Sequence, residues 1–230
     1  MDKELLDLLS RVDTPTVCNA IEVVQGKRGF IGFTRGTMVC TEPGRAVVGF
    51  AVTAQIAALA PSTELPEVIK ARRMAYYKAM HDAPKPSVAV IEDLDYPSCV
   101  GAYWGEINTT IHKGFGMSGA LTNGVVRDLG DLPQGFPVIA GSVGPSHGFV
   151  HVRSVGQPVR VMGLEVRHGD LVHADRHGAV VVPPEVIAPL TAAIRKLQET
   201  ERLVLDPARM PGFDYAAFEV AWAAFEAART

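Results

Sequence analysis

The sequence predicts a mixed α/β fold on three observations. Ser87 to Ile91 (SVAVI) is a short, nearly continuous apolar run, the pattern of a strand covered on both faces. Segments with apolar residues at spacings of three and four lie on either side of it, from Val17 to Val24 near the start and from Ile187 to Phe225 near the end, as amphipathic helices do. Between Phe136 and Val182 the chain breaks into short apolar runs separated by glycine turns, a β-rich pattern. With 230 residues, 47% hydrophobic and 20% charged, the chain can bury a full core.

Composition excludes several partners. The formal charge is -3 and the basic residues are scattered, so no stripe exists to neutralise a phosphate backbone, and nucleic acid is not expected. No apolar segment approaches the roughly 20 residues needed to cross a bilayer, so no membrane partner is expected. Cys18, Cys40 and Cys99 are an odd number at wide spacings, and the acidic opening MDKELLDLL has no basic leader region. The expectation is a reduced, cytoplasmic protein.

In chain order, Thr14-Pro15 reads as a helix N-cap followed by proline at the first helical position, with Val17, Ala20, Ile21 and Val24 on one face and Gly26 as the stop. Met38 to Thr41 and Ala46 to Ala58 read as buried strands split by the turn Glu42-Pro43-Gly44-Arg45. Glu67 to His81 carries Val68, Ile69, Met74 and Tyr77 in a rough helical stripe that stops before Pro84. After SVAVI come Glu92, Asp93 and Asp95. Ligand crevices in open α/β sheets lie at this end of a strand, so these acids are candidates for metal or proton chemistry; a solvated loop is the other reading.

The most informative stretch is Trp104 to Leu132, WGEINTTIHKGFGMSGALTNGVVRDLGDL, with six glycines from Gly105 to Gly130. Trp104, Ile107 and Ile111 recur at helical spacing, which puts Glu106 in the first turn of a helix, where the dipole favours an anion, with or without chemistry of its own. Gly114 ends that helix. Gly114 to Gly119 matches the G-x-G-x-x-G dinucleotide pattern, but the fingerprint needs a strand before it and a helix after it, and the order here is reversed. The glycines are better explained by close backbone approach. Asn123-Gly124 signals a turn, and Arg127-Asp128 then stand side by side. Arginine offers a rigid fork for a carboxylate and aspartate is a hard oxygen ligand for Mg2+ or Mn2+; alternatively, Asp128 caps a short helix and Arg127 forms a salt bridge.

His173, Asp175 and His177 would share a strand face and hold zinc, but Asp175 to Gly178 reads better as a hairpin turn. His147 and His151 are separated by Gly148 and share no helical face. Pro183-Pro184 opens a long helix running to about Leu203, and Asp214 caps a last one with Tyr215, Phe218, Trp222 and Phe225 in a stripe suited to packing on another helix, its own or a neighbour's.

On these residues the sequence resembles the family that contains the regulator of ribonuclease E activity A and the 4-hydroxy-4-methyl-2-oxoglutarate aldolases. The resemblance covers DTPTVCNAI, GRAVVGFAVTA, SVAVIEDLD, GEINTTIHKGFGMSGALTNGVVRDLGDLP and GLEVRHGDLVHADRHGAVVVPPEV. It implies a single α/β sandwich over 1–230, akin to phosphohistidine swivelling domains, with 204–230 a C-terminal helical extension. It also implies homotrimers or homohexamers with sites between subunits. The aldolases carry an acid twenty-one positions before the arginine of an Arg-Asp pair, which here is Glu106 before Arg127. The implied activity is divalent-metal-dependent cleavage of a 4-hydroxy-2-oxo acid to pyruvate, with oxaloacetate decarboxylation through the same enolate; the implied alternative is a non-catalytic regulator of an RNA-processing enzyme. By that resemblance Asp128 holds Mg2+ or Mn2+ largely through waters and Arg127 pairs with the pyruvyl carboxylate. Backbone amides of Ile107 and Asn108 help to bind that carboxylate, and Glu106 assists proton transfer. The chain departs from the family at Glu106, commonly Asp, at Cys18-Asn19, often Ser-Asp, and at Asn123, often Asp.

Overall fold

The structure is a computed structural model that describes residues 1–229. It begins with α1 (Lys3–Leu9), α2 (Thr14–Gln25), β1 (Val39–Cys40), β2 (Val47–Ala57), α3 (Pro66–Asp82) and β3 (Ser87–Asp93). Then follow α4 (Glu106–Gly114), β4 (Met117–Thr122), β5 (Val125–Val126), β6 (Val138–Ala140), β7 (Ser142–Val143) and β8 (His151–Val155). The chain ends with β9 (Val159–Val161), β10 (Leu164–Val166), β11 (Leu171–Asp175), β12 (Gly178–Val182), α5 (Pro184–Ile187), α6 (Leu190–Ala208) and α7 (Tyr215–Arg229).

The main sheet is mixed, in the order β1-β6-β4-β3-β2-β11-β12, with β8 also on β2. Its spine is β2, long enough to pair with β11 through Val47–Phe50 and with β8 through Ala54–Ala57 along the same edge, while its other edge carries β3 in parallel. The SVAVI run is buried on both faces, as its lack of alternation predicts. Ala89 and Ile91 enter a core with Tyr76, Met80, Trp104 and Phe136 beneath α3 and α4. Val88 and Val90 face the opposite core, with Val159, Val161 and Leu164 of the β9–β10 hairpin. A third cluster joins α1, α2 and α6 to β11 and β12 through Leu9, Ile21, Leu171, Val180 and Ile194. Each such side chain contributes about 1.5–3 kcal/mol when fully buried.

Four local expectations change. The cap of α2 is Asp13, whose carboxylate accepts from Thr16 N at 2.9 Å, while Thr14 is buried and bonds instead to Asp175 and His173. The helix expected from Pro183 to Leu203 is two, because Pro189 lacks an N–H and its ring clashes with the preceding turn; α6 then runs on to Ala208. Trp104 is not helical but bridges Val126, and Ile107 is 69% exposed. The buried side of α4 is polar, formed by Thr109 and His112.

The other turn assignments hold. A helix precedes and a strand follows the glycine pattern at 114–119, and a Cβ on Gly119 would lie 2.6 Å from Pro137 O, so the glycine serves strand packing. Asp175 pairs with Gly178 across the β11–β12 hairpin. His173 is engaged by Thr14 and Leu9 O, which tie β11 to the N-terminal helices, and His177 is engaged by Asp175 within the turn. On α7, Asp214 accepts from Ala217 N, and the rings of Tyr215, Phe218, Trp222 and Phe225 stack in sequence along the helix, which packs on α6. No helix among the described residues is long and apolar enough to cross a membrane.

Candidate active site

The short strand β5 pairs in parallel with β7, and its last residue, Val126, bridges Trp104. Arg127 N–H donates to Trp104 O at 2.8 Å. These bonds lay the Arg127-Asp128 pair directly against the start of α4. Asp128 adopts a left-handed backbone, φ 57°, which aspartate tolerates better than most residues, and Asp131 N closes the turn onto Asp128 O at 2.9 Å. Asp128 Oδ2 accepts from Glu106 N at 3.1 Å and from Arg127 Nη1 at 2.5 Å. The cap and the salt bridge are both present: Asp128 caps a helix, but that helix is α4, twenty-two residues earlier, and the salt bridge lies between the adjacent residues.

Contact this close requires glycine at 105. A Cβ there would meet Asp128 Oδ2 at 2.6 Å and Arg127 Cζ at 2.7 Å. As N-cap, Gly105 supplies no side-chain acceptor, and the Asp128 carboxylate takes that role. Glu106 is exposed in the first turn; the amides of Ile107 and Asn108 belong to the same turn, where a helix leaves N–H groups without internal acceptors. The Asn108 side chain points away from solvent, its Nδ2 donating to Tyr103 O at 2.7 Å and its Oδ1 accepting from Tyr77 Oη at 3.3 Å. Beneath lie two buried donors with no acceptor among the described residues, Arg127 Nε and Trp104 Nε1. His112 is fully buried between Tyr76 Oη and Asn108 O, and burial drives its pKa down to about 4.

The acids after β3 do not join this pair. Glu92 accepts from Gln55 and from Arg160 N, and Asp95 accepts from Ala58 N and Leu59 N. Asp93 is 1% exposed rather than solvated; one carboxylate oxygen accepts from Asp95 N, the other has no hydrogen-bond partner among the described residues, and burial raises its pKa. A cavity of about 160 Å³ lined by Glu92, Asp93, Tyr96, Asn123 and Arg160 adjoins it. Asn123 accepts from Asp93 N at 2.7 Å and donates to Asp93 O at 3.1 Å, a pair of hydrogen bonds to backbone that an ionised aspartate could not make because it lacks a donor. Burial also pushes the neighbouring Cys99 thiol up to about 12, which disfavours its thiolate.

Gly105 and Tyr77 are residues of the candidate site that motif reasoning passed over. The glycine count around Glu106 was the available signal for Gly105; nothing local marks Tyr77, which arrives from α3.

Among the described residues no three His, Cys, Asp or Glu side chains gather as a closed metal cage. Asp128 Oδ1, however, makes no hydrogen bond among the described residues while Oδ2 makes two, and the Glu106 residue is adjacent. One open carboxylate oxygen fits a hard ion that keeps several waters, as Mg2+ does, and does not fit a tetrahedral structural zinc.

Fold and pair together define a mixed α/β protein that presents an arginine–aspartate pair at a helix start. The chain belongs to the RraA-like family, described as Aldolase/RraA, whose model matches residues 14–181. It is 26% identical over 119 residues to a Halalkalibacterium halodurans protein provisionally named 4-hydroxy-4-methyl-2-oxoglutarate aldolase, covering 51% of this chain and 56% of that one. It is 29% identical over 105 residues to an uncharacterised Methanocaldococcus jannaschii protein, covering 45% and 50%. The chain thus spans about half the length of these curated relatives. Among solved structures, a Pseudomonas syringae protein of uncharacterised role superposes with a TM-score of 0.71 at 24% identity, covering 100% and 94% of the two chains. Streptomyces coelicolor RraAS2, described as an unusual member of the RNase ES inhibitor RraA family, gives 0.65 at 24% identity over 91% and 98%. At these identities the structural likeness shows the fold alone.

Proposed function

We propose that the protein is a divalent-metal-dependent carbon–carbon lyase that cleaves a 4-hydroxy-2-oxo acid, such as 4-hydroxy-4-methyl-2-oxoglutarate or 4-carboxy-4-hydroxy-2-oxoadipate, to pyruvate, with oxaloacetate decarboxylation as a side activity. The observation that carries this reading is the Asp128 carboxylate, held at the start of α4 with one oxygen bonded twice and the other open. Asp128, with Glu106 nearby, would hold Mg2+ or Mn2+, and the ion when bound supplies positive charge that lowers the cost of forming an enolate.

The chain's own residues do the rest. Arg127 Nη2 carries no partner among the described residues, so it and the first-turn amides of Ile107 and Asn108 receive the substrate carboxylate. The Arg127–Asp128 bond keeps the guanidinium from swinging, which preserves the substrate's orientation as the bond beyond C3 breaks. Glu106, exposed in the first turn of α4, assists the proton transfer in which the C4 hydroxyl loses its proton as the bond breaks and C3 of the pyruvate carbanion gains one. The same enolate forms when oxaloacetate loses its carboxylate.

We take 1–230 as one domain akin to phosphohistidine swivelling domains, with 204–230 an extension, working in the cytoplasm as a homotrimer or homohexamer whose subunits complete each other's sites. The test is pyruvate release from 4-hydroxy-4-methyl-2-oxoglutarate and from oxaloacetate, with Mg2+ or Mn2+ and with EDTA, for the parent and Asp128→Ala. Metal-dependent release, at least about a hundredfold lower in the variant, is expected. Release unaffected by the substitution would remove Asp128 from the chemistry. No release from either substrate would favour the binding-protein reading, in which a regulator docks on an RNA-processing enzyme and needs neither residue.

A further inference from the structure

We propose that Tyr77 and the Asn108 side chain form a strap that sets the angle of the first turn of α4, which makes both of them positioning residues for the carboxylate of the 2-oxo acid. The proposal rests on the lyase reading above and adds a part to its site.

The need for a strap arises at Gly105. Helix starts are normally fixed by a Ser, Thr, Asp or Asn side chain at the N-cap, and here any side chain would strike Asp128 and Arg127. One replacement is Asp128 itself, on the Glu106 amide. The other is Asn108. Its Nδ2 reaches back to Tyr103 O at 2.7 Å, fixing the turn to the chain that precedes the cap. Its Oδ1 takes the Tyr77 hydroxyl at 3.3 Å, fixing the same turn to α3.

One helical turn further on, the neighbouring tyrosine makes a parallel contact. His112 Nδ1 lies 2.6 Å from Asn108 O and must donate to it, which leaves Nε2 to accept from Tyr76 Oη at 2.8 Å. Two consecutive tyrosines of α3 therefore hold α4 at successive turns. Their consequences differ. Tyr76 is fully buried and its contact lies within the core, whereas the Tyr77 contact falls on the turn whose N–H groups lack internal acceptors and lie beside Asp128. Hydrogen bonds weaken steeply with misalignment, so a small rotation of that turn is felt by a bound carboxylate before it is felt by the fold.

The experiment compares the parent with Tyr77→Phe, Asn108→Ala, the double variant and Tyr76→Phe. It measures pyruvate affinity by calorimetric titration with Mn2+ present, kcat and KM for oxaloacetate, and Tm. Tyr77→Phe and Asn108→Ala should each raise Kd and KM about fivefold to tenfold with kcat nearly unchanged, the signature of lost uniform binding. The double variant should be no worse than Asn108→Ala alone, because the two groups share one bond. Tyr76→Phe should lower Tm and leave the pyruvate Kd at the parent value. A Tyr77→Phe protein with parental Kd and KM overturns the strap, whatever its Tm. A parent that binds no pyruvate overturns the lyase reading of the site and the strap with it, so the parent alone tells the two failures apart.

Discussion

Gly105 shows how a single residue can limit a site. Its missing Cβ is what allows the Asp128 carboxylate and the Arg127 guanidinium to lie against the start of α4. Gly105→Ala should therefore push the pair outward while leaving the surrounding core alone. A displacement of this kind is expected to lower kcat/KM for oxaloacetate about tenfold to a hundredfold with a parental Tm, measured by steady-state kinetics and thermal melting. Parental kinetics would mean that the pair does not need its present geometry. Arg127→Lys retains the charge but loses the planar fork, and its shorter reach cannot keep both the Asp128 contact and a substrate contact. The KM for oxaloacetate should rise about tenfold, and an unchanged KM would take Arg127 out of substrate binding. The Arg127-Asp128 adjacency was legible in the sequence. That Asp128 would cap α4 was not, because the bond joins residues twenty-two apart and depends on how β5 is paired.

At the scale of the element, α4 departs from what apolar periodicity predicts. Trp104, Ile107 and Ile111 have the right spacing, yet the helix starts after the tryptophan and buries Thr109 and His112. Thr109 satisfies its hydroxyl on Gly105 O within the helix, and His112 finds Tyr76 and Asn108, so neither polar group is buried unpaired. Periodicity counts apolar residues and is blind to such partners. This placement has a consequence for stability. The pKa of His112 falls from 6.5 to about 4 on folding, and burial lowers that of His173 as well. Between these values the unfolded chain binds protons that the folded chain does not, so stability decreases as pH falls from about 6.5 towards 4. Tm measured from pH 7 to pH 5 should decline, and His112→Asn should show a shallower decline than the parent. A Tm independent of pH across that range would contradict the buried neutral histidines.

At the scale of the molecule, the fold brings remote segments to one end of α4: β5, paired with β7 outside the main sheet, and α3 through Tyr77. The proposed assembly makes a further demand. If subunits complete each other's sites, specific activity should fall on dilution to concentrations where sedimentation shows monomers. Constant specific activity across dissociation would place the whole site within one chain. The long β2, with β3 on one edge and β11 and β8 sharing the other, was legible as a buried run, but its division between two partners was not.

The sequence by itself determined the α/β class, the buried SVAVI strand, the hairpin at Asp175 to Gly178, the rejection of the glycine pattern as a nucleotide site, and the candidacy of Glu106, Arg127 and Asp128. These follow from local preferences: a strand covered on both faces needs apolar side chains at every position, and turns need particular backbone angles. Only the tertiary structure decided that Asp128 caps α4, that Asn108 faces Tyr77 rather than solvent, that Asp93 is buried, and that Pro189 divides α5 from α6 where one helix was expected. The first three depend on groups distant in sequence meeting in the folded chain. Hydrogen bonding and burial at those points are properties of the assembled fold, which no window along the chain contains.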